Sequence, residues 1–578
     1  MVLTGNSVSP GIAVGNIYIY GASHSVPEKG LCPAGEEQAH LDRYDAVKKK
    51  ALEELEKIVH SMEKHDPEKA GIFRAHQDIV NDVAINEEIP DKILREHWTG
   101  DWAIYKTYDT FLRMVKKARD PLIAERSADF EDVRGRLLRL WQGRNEEGLS
   151  ALEKPVIVAA KELLPSDTAS MDASKVLAIL TETGGLTSHS AIIAKSYGIP
   201  AVLGIPGLLE NIKQNQIAAV DAVEGKVHLD PDKALTEDYQ KRTAAWRQER
   251  KTTESYRKAD AFTGDKVRID IGVNIANADE KELEAAEYTD SVGLFRTEFL
   301  YMGRDDLPGE EEQFACYRRV LERFGKKPVV LRTLDIGGDK TLKSMKLPTE
   351  ENPFLGNRAL RLCFTYPELF MAQIRACLRA SAYGNLWIML PMVGSMDDIR
   401  KAKEFIFSVR DDLRKEGASF GEFKIGIMIE IPSIALIANT AAKEVDFASI
   451  GSNDLCQYLC AADRMNSSVE SYYQSYHPGL FTLIRDTIKA FIDAGKPISI
   501  CGELGGDPLA VPVLLGFGMR KLSMGAASVA EIKRTVASLT INEAGEIAGR
   551  ALEFTTAGEV QSYLSERHAY YKQGGSNV

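Results

Sequence analysis

A chain of 578 residues, 44% hydrophobic and 27% charged, is long enough for several domains and has the composition of a globular protein. Its net charge of −12 excludes a basic footprint for nucleic acid, and no apolar run is long enough to span a bilayer. The start, Met-Val-Leu-Thr-Gly-Asn, lacks a secretory pattern, and seven scattered cysteines build no disulfide framework, so a cytoplasmic protein without membrane insertion is expected.

Residues 1–22 read as β-rich, with Gly-Ile-Ala-Val-Gly-Asn-Ile-Tyr-Ile-Tyr after a Pro-Gly turn. From about Gly35 the period changes: Leu41, Tyr44, Val47, Leu52, Leu55, Val59 and Met62 recur at helical spacing. Helical patterning continues through 72–83, 102–115 and 130–140, punctuated by Pro67 and Pro121. This helical block, 23–145, has no catalytic cluster and reads as a docking surface or a lid.

At Pro155 the chain turns β-rich again with Val156-Ile-Val-Ala, followed by Pro-Ser-Asp-Thr at 165–168. Val176 to Leu180 is a short β-prone run, closed by Thr181 and Glu182. Gly184 and Gly185 turn the chain, and Thr187 or Ser188 caps a helix carrying Ile192, Ile193 and Tyr197. His189 falls in the first turn of that helix. Unpaired N–H groups and the helix dipole favour an anion there, and a phosphoryl group on an imidazole nitrogen would be one. The plain alternative is a histidine that merely bonds to backbone.

Ile199-Pro-Ala-Val-Leu-Gly and a hairpin joined through Asp221 to Gly225 complete the block. Residues 1–22 and 146–230 read as one α/β domain with the helical segment 23–145 inserted in it. Residues 231–260 are strongly polar and nearly free of Gly and Pro, which predicts an exposed helix joining two lobes. A stiff connector suits a domain that swings as a unit.

From 261 to 578 there are eight β-like runs, near 266–275, 291–297, 328–335, 386–392, 424–431, 446–451, 497–501 and 521–524, most followed by helical patterning. Eight strands with crossovers predict a (β/α)8 barrel, in which functional groups gather at the C-terminal strand ends. Polar residues do punctuate those ends: Arg296 and Glu298, Arg332 and Asp335, Glu430, Asn453 and Asp454, and Cys501, with Arg464 following the sixth run.

Glu430 and Asp454 on adjacent strands suit a hard divalent cation such as Mg²⁺, which takes one or two carboxylates and leaves positions to substrate oxygens. Arg296, Arg332 and Arg464 suit phosphate and carboxylate, because the guanidinium fork matches both. Asn453 adds a neutral donor, and Cys501 could move a proton. The substrate implied is a small phosphorylated acid on a metal. Each residue also has a structural alternative: Arg296 and Glu298 could pair with each other on one strand face, and Cys501 could be core. Six such residues at successive strand ends are hard to explain by packing. Cys456 and Cys460, four apart with no second pair or His cluster nearby, argue against zinc and read better as two helix-facing core thiols.

The chain resembles the Enzyme I family of the bacterial sugar phosphotransferase system, the phosphoenolpyruvate-protein phosphotransferases. The resemblance runs through Ser-Pro-Gly-Ile-Ala, Ile-Phe-Arg-Ala-His, Pro-Ser-Asp-Thr, Gly-Gly-Leu-Thr-Ser-His-Ser, Gly-Leu-Phe-Arg-Thr-Glu-Phe-Leu, Thr-Leu-Asp-Ile-Gly-Gly-Asp-Lys, Asn-Pro-Phe-Leu-Gly-Asn-Arg, Ser-Asn-Asp-Leu and Cys-Gly-Glu. It implies that His189 accepts the phosphoryl group of phosphoenolpyruvate on Nε2 and passes it to a histidine of the carrier HPr. It implies that Arg296, Arg332, Asn453 and Arg464 bind phosphoenolpyruvate, that Glu430 and Asp454 hold Mg²⁺, and that Cys501 protonates the enolate to pyruvate. It also implies an HPr-docking helical subdomain, a swivelling phosphohistidine domain and a homodimer through the barrel. Arg358 and Lys340 match family positions, and the resemblance suggests Thr168 as a support for the His189 ring.

One departure stands out: Leu186 occupies a position where the family usually has Arg, which bears on rate, on phosphohistidine stability and on the choice of carrier. Cys456 and Ser452 stand where threonine is common. The rival enzymes, phosphoenolpyruvate synthase and pyruvate phosphate dikinase, carry a large additional ATP-binding domain for which this chain has no room. A phosphorylation-sensing scaffold is favoured only by Leu186. A paralogue feeding another carrier remains compatible with the motifs.

Overall fold

The computed structural model describes residues 1–20, 27–33, 35–62, 67–116, 127–143, 149, 152–163, 167, 171–185, 188–302, 304, 306–338, 340, 342, 344–345, 347–348 and 350–572. Two compact units divide the chain, Met1–Glu249 and Arg250–Val578.

In the first unit, alternation of apolar residues builds an eight-stranded mixed sheet. Its strands are β1 (Val2–Thr4), β2 (Asn6–Ser9), β3 (Ile12–Ile19), β4 (Val156–Ala160), β5 (Val176–Thr181), β6 (Ala201–Leu203), β7 (Ile217–Asp221) and β8 (Lys226–Leu229). Their order is β1-β8-β7-β3-β4-β5-β6-β2. Ile157, Leu180 and Val202 pack on one face, and their neighbours Val158, Ile179 and Leu203 on the other. The expected hairpin is β7–β8, with Asp221 opposite Lys226. The Asp221 carboxylate accepts the Val223 and Glu224 N–H groups, each at 3.0 Å, which closes the turn.

β3 lies beside β4 in parallel, with Ile17 opposite Ile157, so the intervening chain leaves and re-enters the sheet at neighbouring strands. That chain forms the helices Glu37–Met62, Pro67–Val80, Val83–Leu94, Gly100–Lys116 and Ser127–Trp141. Tyr44, Val47, Leu55 and Val59 form the buried stripe of the first. Pro67 opens the second, where its missing N–H costs nothing; Pro121 lies outside the described residues. The periodicity placed one helix over 72–83, but the structure breaks it at Asp82, whose carboxylate caps a new helix through the Ile85 N–H at 3.1 Å.

The polar segment after β8 is one 23-residue helix, Lys233–Ser255. Asp232 caps it through the Leu235 N–H at 2.8 Å. Arg242 pairs with Asp221 and lies 4.8 Å over the Tyr239 ring.

The second unit is the expected closed barrel of parallel strands. These are β9 (Asp270–Ile275), β10 (Ser291–Arg296), β11 (Pro328–Arg332), β12 (Asn385–Leu390), β13 (Phe423–Ile429), β14 (Phe447–Gly451), β15 (Ile498–Cys501) and β16 (Lys521–Met524). β16 pairs back onto β9, with Leu522 opposite Ile271. Leu294, Val330, Met389, Met428 and Phe447 fill the lumen, so the barrel is a packed core with its chemistry confined to one end. All seven cysteines are free thiols, and no helix among the described residues is long and apolar enough to cross a membrane.

Candidate active site at the barrel mouth

Strand ends position the candidate residues. Arg296 closes β10, Arg332 closes β11 and Cys501 closes β15. Glu430 follows the last residue of β13 directly. β14 runs straight into the helix Ser452–Cys460, so Asn453 and Asp454 occupy its first turn. Arg464 lies in the loop beyond that helix. All seven line one cavity of about 890 Å³, together with Asn274, Glu298, Asp335, Lys340 and Glu503.

The wall of the cavity carries a charge network. The Arg332 guanidinium donates to Glu298 at 2.5 Å and stands 3.1 Å from Asp335. Lys340 reaches the same two carboxylates at 2.9 and 3.0 Å. Arg358, wholly buried, donates to Asp335 at 3.0 and 3.2 Å and to Asp454 at 3.0 Å. Burial alone would raise the Asp335 carboxyl, but Arg332, Lys340 and Arg358 outweigh it and hold that carboxyl well below the usual range.

An Arg296–Glu298 pair, open from the sequence, does not form. β10 ends at Arg296, and the 3-10 turn Thr297–Leu300 sends Glu298 to Arg332 and Lys340 instead. Arg296 lies 5.0 Å over the Phe299 ring, and its buried Nε has no partner among the described residues. Arg332 Nε, Glu298 Oε2 and Glu430 Oε2 are likewise buried and unpartnered. Unsatisfied polar atoms on cavity-lining residues are places where a polar ligand adds hydrogen bonds rather than displacing them.

Glu430 and Asp454 are carboxylates of the kind a hard cation takes, and Asp454 also faces Arg358 at 3.0 Å and Arg464 at 3.7 Å. Glu430 Oε1 accepts the Met392 N–H at 2.6 Å, which leaves Oε2 free. Met392 has a left-handed backbone, φ 53°, rare for a side chain of this size and here fixed by that bond. Gly451 keeps the space clear, since a Cβ there would stand 3.0 Å from Glu430 Oε2. Among the described residues no three His, Cys, Asp or Glu side chains form a closed cage. Two carboxylates leave the remaining positions of such an ion to water and substrate oxygens.

Burial, and then the Asp454 and Asp335 carboxylates, push Glu430 up to about 8. The unfolded carboxyl titrates at its ordinary, lower value, so the folded chain holds an extra proton between that value and about 8. Stability from this group is therefore full in acid and lost as pH rises through about 8. Denaturant midpoints without metal are expected to fall from mildly acid to mildly alkaline pH, and Glu430→Gln is expected to flatten that slope.

Cys501 is buried, with its thiol donating to the Ile450 carbonyl at 3.5 Å. Burial pushes the thiol up to about 11, against the pull of the Ser449 hydroxyl and Arg332. The Glu503 N–H donates to Asn453 Oδ1 at 3.0 Å, which orients the amide. Sequence reasoning assigned no role to Ser449, Met392 or Asn274; only the strand-end position of Asn274 could have flagged it.

In the first unit, His189 is the first residue of the helix His189–Tyr197. Ser188 caps it, accepting the Ala191 N–H at 3.3 Å, and Gly184 turns at φ 102°. Ser190 is buried and ties this turn to the Leu163 backbone at 3.3 Å. Ile193 is buried and Tyr197 is exposed. Thr168, Leu186, Thr187 and the side chains of His189 and Ile192 lie outside the described residues.

Three family models match the chain. "PEP-utilising enzyme, PEP-binding domain" matches residues 250–541, "PEP-utilising enzyme, mobile domain" 152–225 and "PEP-utilising enzyme, N-terminal" 4–126. The first spans every candidate at the barrel mouth and the second spans His189. The phosphoenolpyruvate-protein phosphotransferase of Bacillus sp. (strain S) is 39% identical over 97% of this chain and 97% of its own. That of Geobacillus stearothermophilus is 39% identical over the same shares, and that of Bacillus subtilis (strain 168) 38% identical over 98% and 99%. With its matched domains in order and near-complete coverage by these relatives, the chain belongs to the phosphoenolpyruvate-protein phosphotransferases of the PEP-utilising enzyme family.

Proposed function

We propose that this chain transfers the phosphoryl group of phosphoenolpyruvate to Nε2 of its own His189 and then to a histidine of the carrier HPr, releasing pyruvate. That is the first step of the sugar phosphotransferase system. The observation that carries the reading is the single cavity gathering Arg296, Arg332, Asn453, Arg464, Glu430, Asp454 and Cys501 at the barrel mouth.

Arg296, Arg332 and Arg464 grip the phosphate and carboxylate of the substrate, and Asn453 donates to it. Their positive charge suits the transition state, because an in-line phosphoryl transfer asks the protein for positioning and charge rather than for covalent chemistry. Glu430 and Asp454 hold Mg²⁺, which when bound supplies positive charge to the phosphoryl oxygens. The P–O bond breaks as the imidazole nitrogen takes the phosphoryl group, and the enolate takes the Cys501 proton at its terminal carbon. That protonation makes the step favourable.

The organisation follows the chemistry. Residues 1–22 and 146–230 form the phosphohistidine domain, 23–145 the HPr-docking subdomain, 231–260 the connector, and 261–578 the substrate and dimerisation domain. His189 serves two partners in turn, so its domain swivels between them. The enzyme works in the cytoplasm as a homodimer.

The test is labelling with phosphoenolpyruvate carrying a labelled phosphoryl group, with Mg²⁺ or excess chelator, beside His189→Ala. Acid-labile, base-stable label that needs both Mg²⁺ and His189 and moves to added HPr is the expected result. Label that stays on the chain assigns another carrier, in keeping with Leu186. No label under any condition overturns the reading.

A further inference from the structure

The helix Ser452–Cys460 carries Asn453 and Asp454 in its first turn and a pair of thiols farther along, Cys456 and Cys460. Residues four apart lie on one helix face. Cys456 is buried, one helical turn before Cys460. Cys460 is half-buried and is the last residue of the helix, which Ala461 ends with a left-handed backbone at φ 51°. The pair is thus open from the Cys460 side and closed behind Cys456. Neither thiol has a part in the phosphotransfer chemistry.

Two sulfurs with no third His, Cys, Asp or Glu to complete a cage, among the described residues, make a poor zinc site. They make a good site for a soft centre that needs only two sulfurs. We propose that Cys456 and Cys460 are a chelating dithiol for trivalent organoarsenicals, and that its occupation disables the neighbouring phosphotransfer cavity.

The chemistry balances without an oxidant. An arsenoso compound, R–As=O, meets Cys460 first; sulfur adds to arsenic and the thiol proton goes to oxygen. Cys456 then displaces that oxygen, which leaves as water with the second thiol proton. Two S–H bonds and the As=O bond break, two As–S bonds form, and arsenic stays trivalent.

The route to the cavity is short. The Tyr473 hydroxyl donates to the Asn453 carbonyl at 3.3 Å, and Cys456 follows Asp454 by two residues in the same nine-residue helix. An arsenic ring between the thiols strains the short helix whose first turn carries Asn453 and Asp454.

The experiment treats the full chain with equimolar phenylarsine oxide and digests it with trypsin without reductant. Cleavage after Lys443 and Arg464 releases a peptide that holds both thiols and excludes Cys501. The expected result is a phenylarsenic crosslink within that peptide. Loss of pyruvate formation should accompany it, reversed by dithiothreitol and not by a monothiol. Cys460→Ala should abolish the crosslink and the sensitivity while retaining turnover. Absence of the crosslink overturns the site. Equal sensitivity of Cys460→Ala, or a crosslinked enzyme of undiminished turnover, overturns the link to the cavity. The mass readout does not require the phosphotransfer reading to hold, so the failure of either is distinguishable from failure of the other.

Discussion

Cys501→Ala is expected to slow pyruvate formation by about 10² to 10⁴-fold, the usual worth of a positioned general acid. The thiol ends β15 at the wall of the cavity, and burial holds it protonated up to about 11. An acid must carry its proton, so this contribution is present at neutral pH and is lost only as pH rises through about 11. The neutral-range limbs of the pH–rate profile should therefore be the same in wild type and in Cys501→Ser, with only the plateau lowered. Single-turnover experiments should separate the two halves of the reaction, since in the proposed mechanism Cys501 acts on the enolate and not on the phosphoryl group. Wild-type pyruvate formation by Cys501→Ala would remove Cys501 from the mechanism.

Arg358→Met should strongly destabilise the barrel. The guanidinium is fully buried and bonds Asp335 twice and Asp454 once. Its removal leaves buried carboxylates short of a cation, a loss that costs about 3–5 kcal/mol in comparable broken pairs. The denaturant midpoint should fall accordingly, and Arg358→Met with Asp335→Asn should recover part of the loss, because the two share one interaction. If the single variant unfolds at the wild-type midpoint, the network contributes nothing to the fold.

The barrel was legible because each strand is a short apolar run ended by a charged or polar residue, and both signals are local. Arg296, Arg332, Glu430 and Cys501 announced the mouth by closing such runs. The contacts within that mouth were not legible. Arg358 meets Asp454 from 96 positions away, and Lys340 meets Glu298 from 42, and no spacing rule reports such contacts. Glu298 shows the limit most plainly: strand parity gave it to Arg296, and one 3-10 turn gave it to Arg332. Asp82 shows the same limit among the helices, where an apolar period ran through a capping carboxylate that ended it.

The closing of β16 onto β9 has a consequence for how this chain is made. Lys521 and Asp270, paired across that seam, are 251 positions apart. During synthesis β9 has one neighbour within reach almost at once and waits for the other until nearly the whole unit has left the ribosome. Until then the nascent sheet has two open edges, and contacts of such long range make folding slow and aggregation-prone. A ribosome stalled short of β16 would release an open sheet rather than a smaller barrel, and the cell's chaperones would meet this protein chiefly in that interval.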